Sequence, residues 1–461
     1  MDFKNYLVPG KTGLLIGIGG VSMSPLAEVL HDAGLDIRGS DMAESSNTLT
    51  LRERGIPIHI GHSADNVTDD ISFVIRTAAV HDDNPEVHEA HRRGIPVFER
   101  TQAWGALMRG YQNALCISGT HGKTTTTSMC THIMMAAEKD PTVMIGGTLP
   151  LLKACHRVGK GNTIIMESCE YYNSFLALNP TIAVVLNIEA DHLDFFKDLE
   201  DIKRSFRRFA ERVPAETGTV IANYDDANTM DALRGIERKV ITFGLNPKAD
   251  VYAQNIVHRG SVSEFDIYYR GNHFARVTLH VPGIHNVRNA LAATAAAIVL
   301  GVGPNAVKYG LAGFEGAGRR FDYKGKFRGA DLYDDYAHHP SELRALLDAV
   351  DTLNYQRSIV VFQPHTYSRT SKFFNEFAEQ LRRPTIVYLG EIYAAREKNT
   401  IGISSADLAE KIPGAKFYPT FAEIERELRS IARPGDIILT VGAGDVFRIG
   451  EHLLQQSDAE A

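Results

Sequence analysis

Ser118-Gly119-Thr120-His121-Gly122-Lys123-Thr124-Thr125-Thr126 is the stretch on which the fold turns. The apolar run Asn113 to Ser118 leads into it as a buried strand, and a helical stretch follows it. Glycines at a strand-to-helix junction let backbone N–H groups face a phosphate, and the helix N-terminus favours negative charge. Lys123 is placed to reach terminal phosphates, and the Thr124 hydroxyl to ligate Mg²⁺. Ile117 stands where the longer G-x-x-x-x-G-K-[ST] loop has its first glycine, so this is the shorter G-T-x-G-K-T kind. A Thr-rich helix cap with a surface lysine is the bland account. Gly-Lys-Thr after a strand makes the phosphate loop the better one.

Working outward, a nucleotide loop needs metal ligands opposite it. Glu167 and Glu170 follow the apolar run Thr163 to Met166; Asp191, His192 and Asp194 follow Ile182 to Leu186. Both clusters sit at strand C-terminal ends, where open α/β sheets collect ligands. Carboxylate and imidazole suit Mg²⁺. Each cluster alone reads as a solvated loop, and recurrence beside a phosphate loop reverses that weighting.

Upstream, the strand Thr12 to Ile18 runs into Gly17-Ile18-Gly19-Gly20-Val21-Ser22 and the helical pattern Pro25 to Ala33. Asp36 to Ser40 and Ile71 to Arg76 read as further strands of a parallel sheet. The loop is close to G-x-G-x-x-G, with Ser22 for the third glycine, and Asp41 falls where a ribose-binding acid is expected. Read alone it suggests NAD; physically it offers a seat for any nucleotide diphosphate, or a tight turn with no ligand.

Downstream, Val251 to Val281 alternates like an antiparallel excursion, and the Ala-rich stretch Ala290 to Leu300 reads as a buried helix. From Gly316, strand-loop-helix units return: Leu332 to Tyr336 into Ser341 to Val350, Ser358 to Phe362 into Lys372 to Leu381, and Ile437 to Thr440 into Val446 to Leu454. Their loops carry Asp334-Asp335-Tyr336-Ala337-His338-His339, then Gln363-Pro364-His365-Thr366-Tyr367-Ser368-Arg369, then Gly442-Ala443-Gly444-Asp445. Three such loops at one sheet edge suggest a substrate face. His338 and His339 are zinc-ligand types, but no third and fourth ligand is spaced to help. Arg319 and Arg320 precede these units; a surface pair is the bland reading, a phosphate-neutralising arginine the functional one. Trp104, the lone tryptophan, reads as packing.

With 461 residues the chain has room for about three domains of roughly 150 residues each. The boundaries are expected near residues 112 and 315, giving 1–112, 113–315 and 316–461. Apolar residues at 44% and charged residues at 23% exclude disordered and fibrous classes. A formal net charge of -7 argues against nucleic acid or an anionic membrane as the main partner. Met1 to Gly10 carries no secretory h-region, and no apolar stretch is long enough to span a bilayer. Cys116, Cys130, Cys155 and Cys169 form no C-x-x-C pair, which fits a reduced cytoplasm.

With these residues in view the chain resembles the Mur ligases, ATP-dependent enzymes that build the peptidoglycan stem peptide, and within them the alanine-adding branch. The resemblance covers almost the whole chain in order. It implies an α/β fold of three domains: a Rossmann-like N-terminal domain, a central P-loop ATPase-like domain and a C-terminal Rossmann-like domain. It places UDP-N-acetylmuramate on Gly17, Gly19, Gly20, Ser22 and Asp41, with Tyr336, His365 and Arg369 on the acceptor side. It places ATP on Gly119, Thr120, His121, Gly122, Lys123, Thr124, Thr125, His285, Asn286, Asn289, Arg320 and Asp335. Mg²⁺ falls to Thr124, Glu170 and His192. Phe206 occupies the place where ligases adding later residues carry a carbamylated lysine, Thr366 stands where many members have arginine, and Ser22 leaves the uridine loop slightly atypical.

The implied reaction joins L-alanine to the lactyl carboxylate of UDP-N-acetylmuramate through an acyl phosphate. Lys123 and Arg320 would neutralise charge, and His192 or His338 would take the amine proton. A ligase attaching another amino acid or a preformed peptide is the alternative within the family; an NAD-dependent dehydrogenase is the alternative from another class. The partners expected are these substrates, with neither nucleic acid nor membrane insertion, for a monomer or homodimer in the cytoplasm.

Overall fold

The computed structural model describes residues 2–460 except Ala78 and Arg396, and beyond Gln455 the backbone alone. The chain forms two compact units. One comprises Met1–Tyr252, Ile267–Ala275 and Ala290–Gly310; the other comprises Ala253–Asp266, Arg276–Asn289 and Leu311–Ala461. Three sheets give the three-domain α/β architecture.

The first sheet runs, in spatial order, Ile58–Ile60, Asp36–Asp41, Thr12–Ile16, Ile71–Arg76 and Val97–Glu99, all parallel. Thr12–Ile16 is buried at every residue, as a strand covered on both faces must be. The chain order reverses beside this strand. The loop Gly17–Ser22 leaves it at that switch point, where open sheets hold ligands.

The central sheet has ten strands. Asn113–Ser118 lies between Ile182–Val185 and Thr163–Glu167, parallel to both. The strand that ends in Glu167 and the strand whose following loop carries Asp191 therefore flank the strand that leads into the phosphate loop. Beyond them lie Thr219–Asn223 and Lys239–Gly244 on one side, and Thr142–Leu149 with the antiparallel Ala154–Arg157 on the other. Within Val251 to Val281 the strands are Val251–Arg259, Val262–Tyr269 and Asn272–Leu279, neighbours at the far edge of the sheet.

The helix Lys123–Ala136 is Thr-rich and mostly buried. Thr127 Oγ1 donates to Lys123 O and Thr131 Oγ1 to Thr127 O, both at 2.8 Å, so these hydroxyls need no water. Gly310 lets the helix Pro304–Ala312 lie against it, for a Cβ there would stand 2.5 Å from Ile133 Cα. Phe206 is fully buried, edge-on to Phe175 at 5.3 Å, and Phe175 stacks on Phe209 at 4.5 Å. It serves the core.

The third sheet runs Asp322–Phe327, Ala330–Asp335, Asp436–Val441, Arg357–Phe362, Ile386–Leu389 and Lys416–Phe417, parallel except for its first pair. The helix expected over Lys372 to Leu381 is present as Phe374–Gln380, and a further short helix, Tyr367–Lys372, precedes it where the sequence reads as loop. The two are separated by Phe373, whose φ of -106° leaves the helical region.

One ion pair joins the first helix, Ser24–Asp32, to the edge strand Ala154–Arg157: His156 Nε2 lies 3.1 Å from Glu28 Oε1. Burial disfavours charge on His156, but Cys155 and Glu28 outweigh it and push the imidazole from 6.5 up to about 9. A raised imidazole contributes fully below its unfolded pKa and loses its contribution as pH rises through the folded one. Thermal stability should therefore fall between pH 6.5 and 9 by about 1–2 kcal/mol more in the wild type than in His156→Gln, after allowance for solvent screening. Melting curves of both proteins across that window check it, and parallel curves would remove the pair from the stability account.

Candidate active site

The phosphate loop has the backbone that its glycines allow. Gly119 has φ +144° and Gly122 φ +83°, and a Cβ at Gly119 would sit 2.8 Å from Leu186 Cβ. Gly122 caps the helix without a side-chain hydrogen bond, so backbone N–H groups are left for a ligand. Asn187 holds the loop from the neighbouring strand end: its carbonyl accepts from Thr120 N at 3.0 Å and its Oδ1 from His121 N at 2.8 Å. Thr120 Oγ1 in turn accepts from Glu189 N at 2.9 Å, and His121 Nε2 lies 3.5 Å from Glu189 Oε2. Thr125 is buried in the first turn of the helix. Nothing in the local sequence marked Asn187; only its place beside the loop reveals the role.

Lys123 folds back over the loop. Its Nζ donates to Gly119 O at 2.6 Å and Thr120 O at 3.0 Å, and lies 3.0 Å from Glu170 Oε2. Burial works against its charge, but the Glu170 carboxylate more than offsets this and raises the pKa above the ordinary lysine value. Glu170 is only 2% exposed, so two charges of opposite sign are buried together. His192 Nε2 stands 3.8 Å from Glu170 Oε1, in a left-handed backbone with φ +52°. Its ring stacks on Tyr171 at 4.3 Å, which fixes the imidazole against the carboxylate. Thr124 Oγ1 donates to Glu167 Oε1 at 3.0 Å, and Gly146 N to Glu167 Oε2 at 2.6 Å. Of the three expected metal ligands, Glu170 and His192 stand together beside Lys123, while the Thr124 hydroxyl is tied to Glu167. Hydroxyl and carboxylate oxygens with one imidazole make a donor set that fits Mg²⁺.

In the first domain Gly17 has φ +77°, and Gly19 N donates to Asp41 Oδ2 at 2.8 Å. Asp41 thereby pins the glycine loop. Gly17, Gly19, Gly20 and Asp41 line a cavity of about 710 Å³. His62 lines it too, a residue that no motif in the sequence marks. Its Nδ1 lies 2.8 Å from Glu86 Oε2, a fully buried carboxylate that also accepts from Ser40 Oγ at 2.7 Å and Asn66 Nδ2 at 2.6 Å. Trp104 is buried as expected, but its Nε1 also donates to Ser22 O at 3.3 Å, and Ser22 Oγ accepts from Arg100.

In the second unit Asp335 ends the strand Ala330–Asp335. It accepts from Phe321 N at 2.7 Å and Ala337 N at 2.8 Å, and burial pushes its carboxyl up to about 6. Tyr336 lies under two guanidiniums, Arg319 at 4.9 Å and Arg320 at 5.0 Å. Arg319 is structural: it pairs with Asp334 at 2.9 Å and donates to the carbonyls of Gly442 and Gly444. Arg320 is the looser of the two, 3.9 Å from Glu342. The rings of Tyr336 and His338 are 5.4 Å apart, those of His338 and His365 5.8 Å, and Arg369 Nη1 is 3.1 Å from His365 Nδ1. His339 caps the helix Pro340–Asp351. Asn286 Nδ2 donates to Pro282 O at 2.7 Å and Asn289 Nδ2 to Asn286 Oδ1 at 3.2 Å; burial, then Arg288, pushes His285 down to about 4. The loops Asp335 to His338 and His365 to Arg369, far apart in sequence, come together at one sheet edge.

A buried lysine on a phosphate loop, metal-ligand types beside it and a glycine loop at a sheet switch point define a multidomain ATP-dependent enzyme. The chain belongs to the Mur ligase family. Residues 15–112 match the model of the Mur ligase family catalytic domain, 117–297 the Mur ligase middle domain and 319–444 the Mur ligase glutamate ligase domain. The chain is 47% identical over 446 residues to a UDP-N-acetylmuramate–L-alanine ligase of Agathobacter rectalis, covering 96% of this chain and 97% of that protein. It is 44% identical to one of Clostridium novyi, covering 99% and 100%. Among solved structures it resembles the UDP-N-acetylmuramate–alanine ligase of Thermotoga maritima, with TM-score 0.80, 28% identity and coverage of 98% and 100%. Among the described residues no helix is long and apolar enough to cross a membrane.

Proposed function

We propose that the chain joins L-alanine to the lactyl carboxylate of UDP-N-acetylmuramate, converting ATP to ADP and phosphate, in peptidoglycan precursor synthesis in the cytoplasm. The observation that carries the reading is the Lys123–Glu170–His192 cluster on the phosphate loop. The carboxylate oxygen attacks the γ-phosphorus and ADP leaves, giving an acyl phosphate. The alanine amine then attacks the acyl carbon, phosphate departs and the amine loses a proton.

Charge neutralisation is the physical need, because a carboxylate approaching a triphosphate is repelled. Lys123 meets it from the loop, and Arg320 is assigned the same task from the C-terminal domain. Thr124, Glu170 and His192 would hold Mg²⁺, which supplies further positive charge at the phosphates. His192 has no free nitrogen for the amine proton while it holds Mg²⁺, so of His192 and His338 the proton is assigned to His338. Asp335 is assigned to the ATP ribose, with His285, Asn286 and Asn289 on the adenine side. Tyr336, His365 and Arg369 are assigned to the acceptor. Domains 1–112, 113–315 and 316–461 each bring one part, in a monomer or homodimer. Phosphate release with UDP-N-acetylmuramate and a panel of amino acids tests the reading. Release that required a peptide rather than L-alanine would move the chain to the peptide-attaching branch.

The glycine loop should take a uridine diphosphate sugar and not NAD. Its physics suits either ligand, whereas a dehydrogenase has no use for the phosphate loop. Calorimetry on the full chain, with NAD and UDP-N-acetylmuramate as ligands, separates them. Tight NAD binding without UDP-N-acetylmuramate binding would overturn the ligase reading.

A further inference from the structure

Two cavities in the first unit share Gly20 and Thr77 in their linings. The larger, about 710 Å³, extends from the glycine loop and Asp41 past His62 to Asn84. The smaller, about 300 Å³, is bounded by Ser22, Arg100, Trp104, Glu167 and Cys169. Charge is divided unevenly between them. Asp41, Glu44 and Asp83 line the larger cavity, which has neither lysine nor arginine among its described residues. The smaller holds Arg100.

Arg100 is half-buried, and burial pushes its pKa down. Among the described residues it forms no ion pair. The carboxylate of the adjacent Glu99 is taken by Arg76 at 3.1 Å, and the guanidinium's protein acceptor is the hydroxyl of Ser22. A guanidinium has five N–H donors. None of the Arg100 nitrogens is sealed in protein without a partner, so the unused donors open toward the cavity. A partly desolvated cation without a counter-ion is costly to keep, and an anionic ligand relieves that cost.

We propose that Arg100 is the counter-ion of the substrate diphosphate, seated where the two cavities meet, with the nucleoside in the larger and the sugar in the smaller. The inference rests on the reading of the first domain as the uridine-nucleotide site. Ser22, which tethers the guanidinium, closes the glycine loop; the helix Ser24–Asp32 begins two residues later without a side-chain cap. The substrate's other anion, the lactyl carboxylate, has to reach the phosphate loop. The smaller cavity is also lined by Glu167, which is bound to Thr124 of that loop's helix.

Calorimetry on the full chain with UDP-N-acetylmuramate, UDP and uridine, at two salt concentrations, tests the assignment. Arg100→Gln should weaken UDP and UDP-N-acetylmuramate by the same factor, about tenfold or more. Uridine affinity should not change, the salt dependence of UDP binding should flatten, and the KM for ATP should stay as it was. Arg100→Lys should recover part of the affinity and all of the salt dependence. If UDP binding is untouched while UDP-N-acetylmuramate is weakened, the guanidinium serves the sugar or the lactyl group and the proposal is overturned. Unchanged binding of both overturns it as well. A wild type that binds no UDP-N-acetylmuramate is a different result, which brings down the reading of the site itself. If Arg100→Gln does not fold, Arg100→Lys decides: UDP should weaken several-fold with its salt dependence kept, and full UDP affinity overturns the proposal.

Discussion

Lys123→Ala should abolish ligation, lowering kcat by about a hundredfold to a thousandfold or more, the usual loss when one preorganised charge contact is removed. Its second effect comes from the structure. Glu170 is 2% exposed and 3.0 Å from the lysine, so the variant leaves a buried carboxylate without its partner. Breaking such a pair costs about 3–5 kcal/mol. The variant should therefore fold but melt earlier. Adding Glu170→Gln to it should restore much of the melting temperature and none of the activity. The separation matters because a simple folding defect would recover both. Phosphate release and melting curves on the two variants check it, and near-normal ligation by folded Lys123→Ala would remove ATP from this loop.

Glu170→Ala should raise the Mg²⁺ concentration needed for half-maximal activity by about tenfold or more, the loss expected of a hard carboxylate ligand. Binding of UDP-N-acetylmuramate should change little, because that ligand is assigned to the glycine loop on another sheet. Lys123 keeps the carbonyls of Gly119 and Thr120 as partners, so the phosphate loop should hold its shape. Mg²⁺ titrations of the rate, set beside calorimetry with UDP-N-acetylmuramate, check it. Equal losses in both would mean general misfolding and no specific metal role.

Sequence pattern carried the framework because its signals are local. A strand ending in Gly-x-x-Gly-Lys-Thr is one continuous stretch, and Ile71 to Arg76 and Asn113 to Ser118 are strands over the spans their apolar runs mark. The short helix Tyr367–Lys372 has no local mark, since its residues read as part of the polar loop that starts at Gln363. Arg100 is not legible in the sequence, because nothing around it forms a motif. Its tether, Ser22, lies 78 residues away and meets it only once the parallel sheet is wound. His62 was hidden for the same reason: Glu86, Ser40 and Asn66, which orient it, come from three other segments.

By itself the sequence determined the α/β class, the strand-to-helix glycine loop, the carboxylates that lie beside it and the family. These depend on residue type at short spacing, and short spacing is what a chain preserves before it folds. Tertiary structure decided which groups share a charge. It placed Glu170 rather than Glu167 against Lys123, gave Tyr336 to both Arg319 and Arg320, and bound Arg319 to the buried Asp334 while leaving Arg320 looser. The physical reason is that electrostatic partners are chosen by distance in a low-dielectric interior. Strand order, which no local motif encodes, sets those distances.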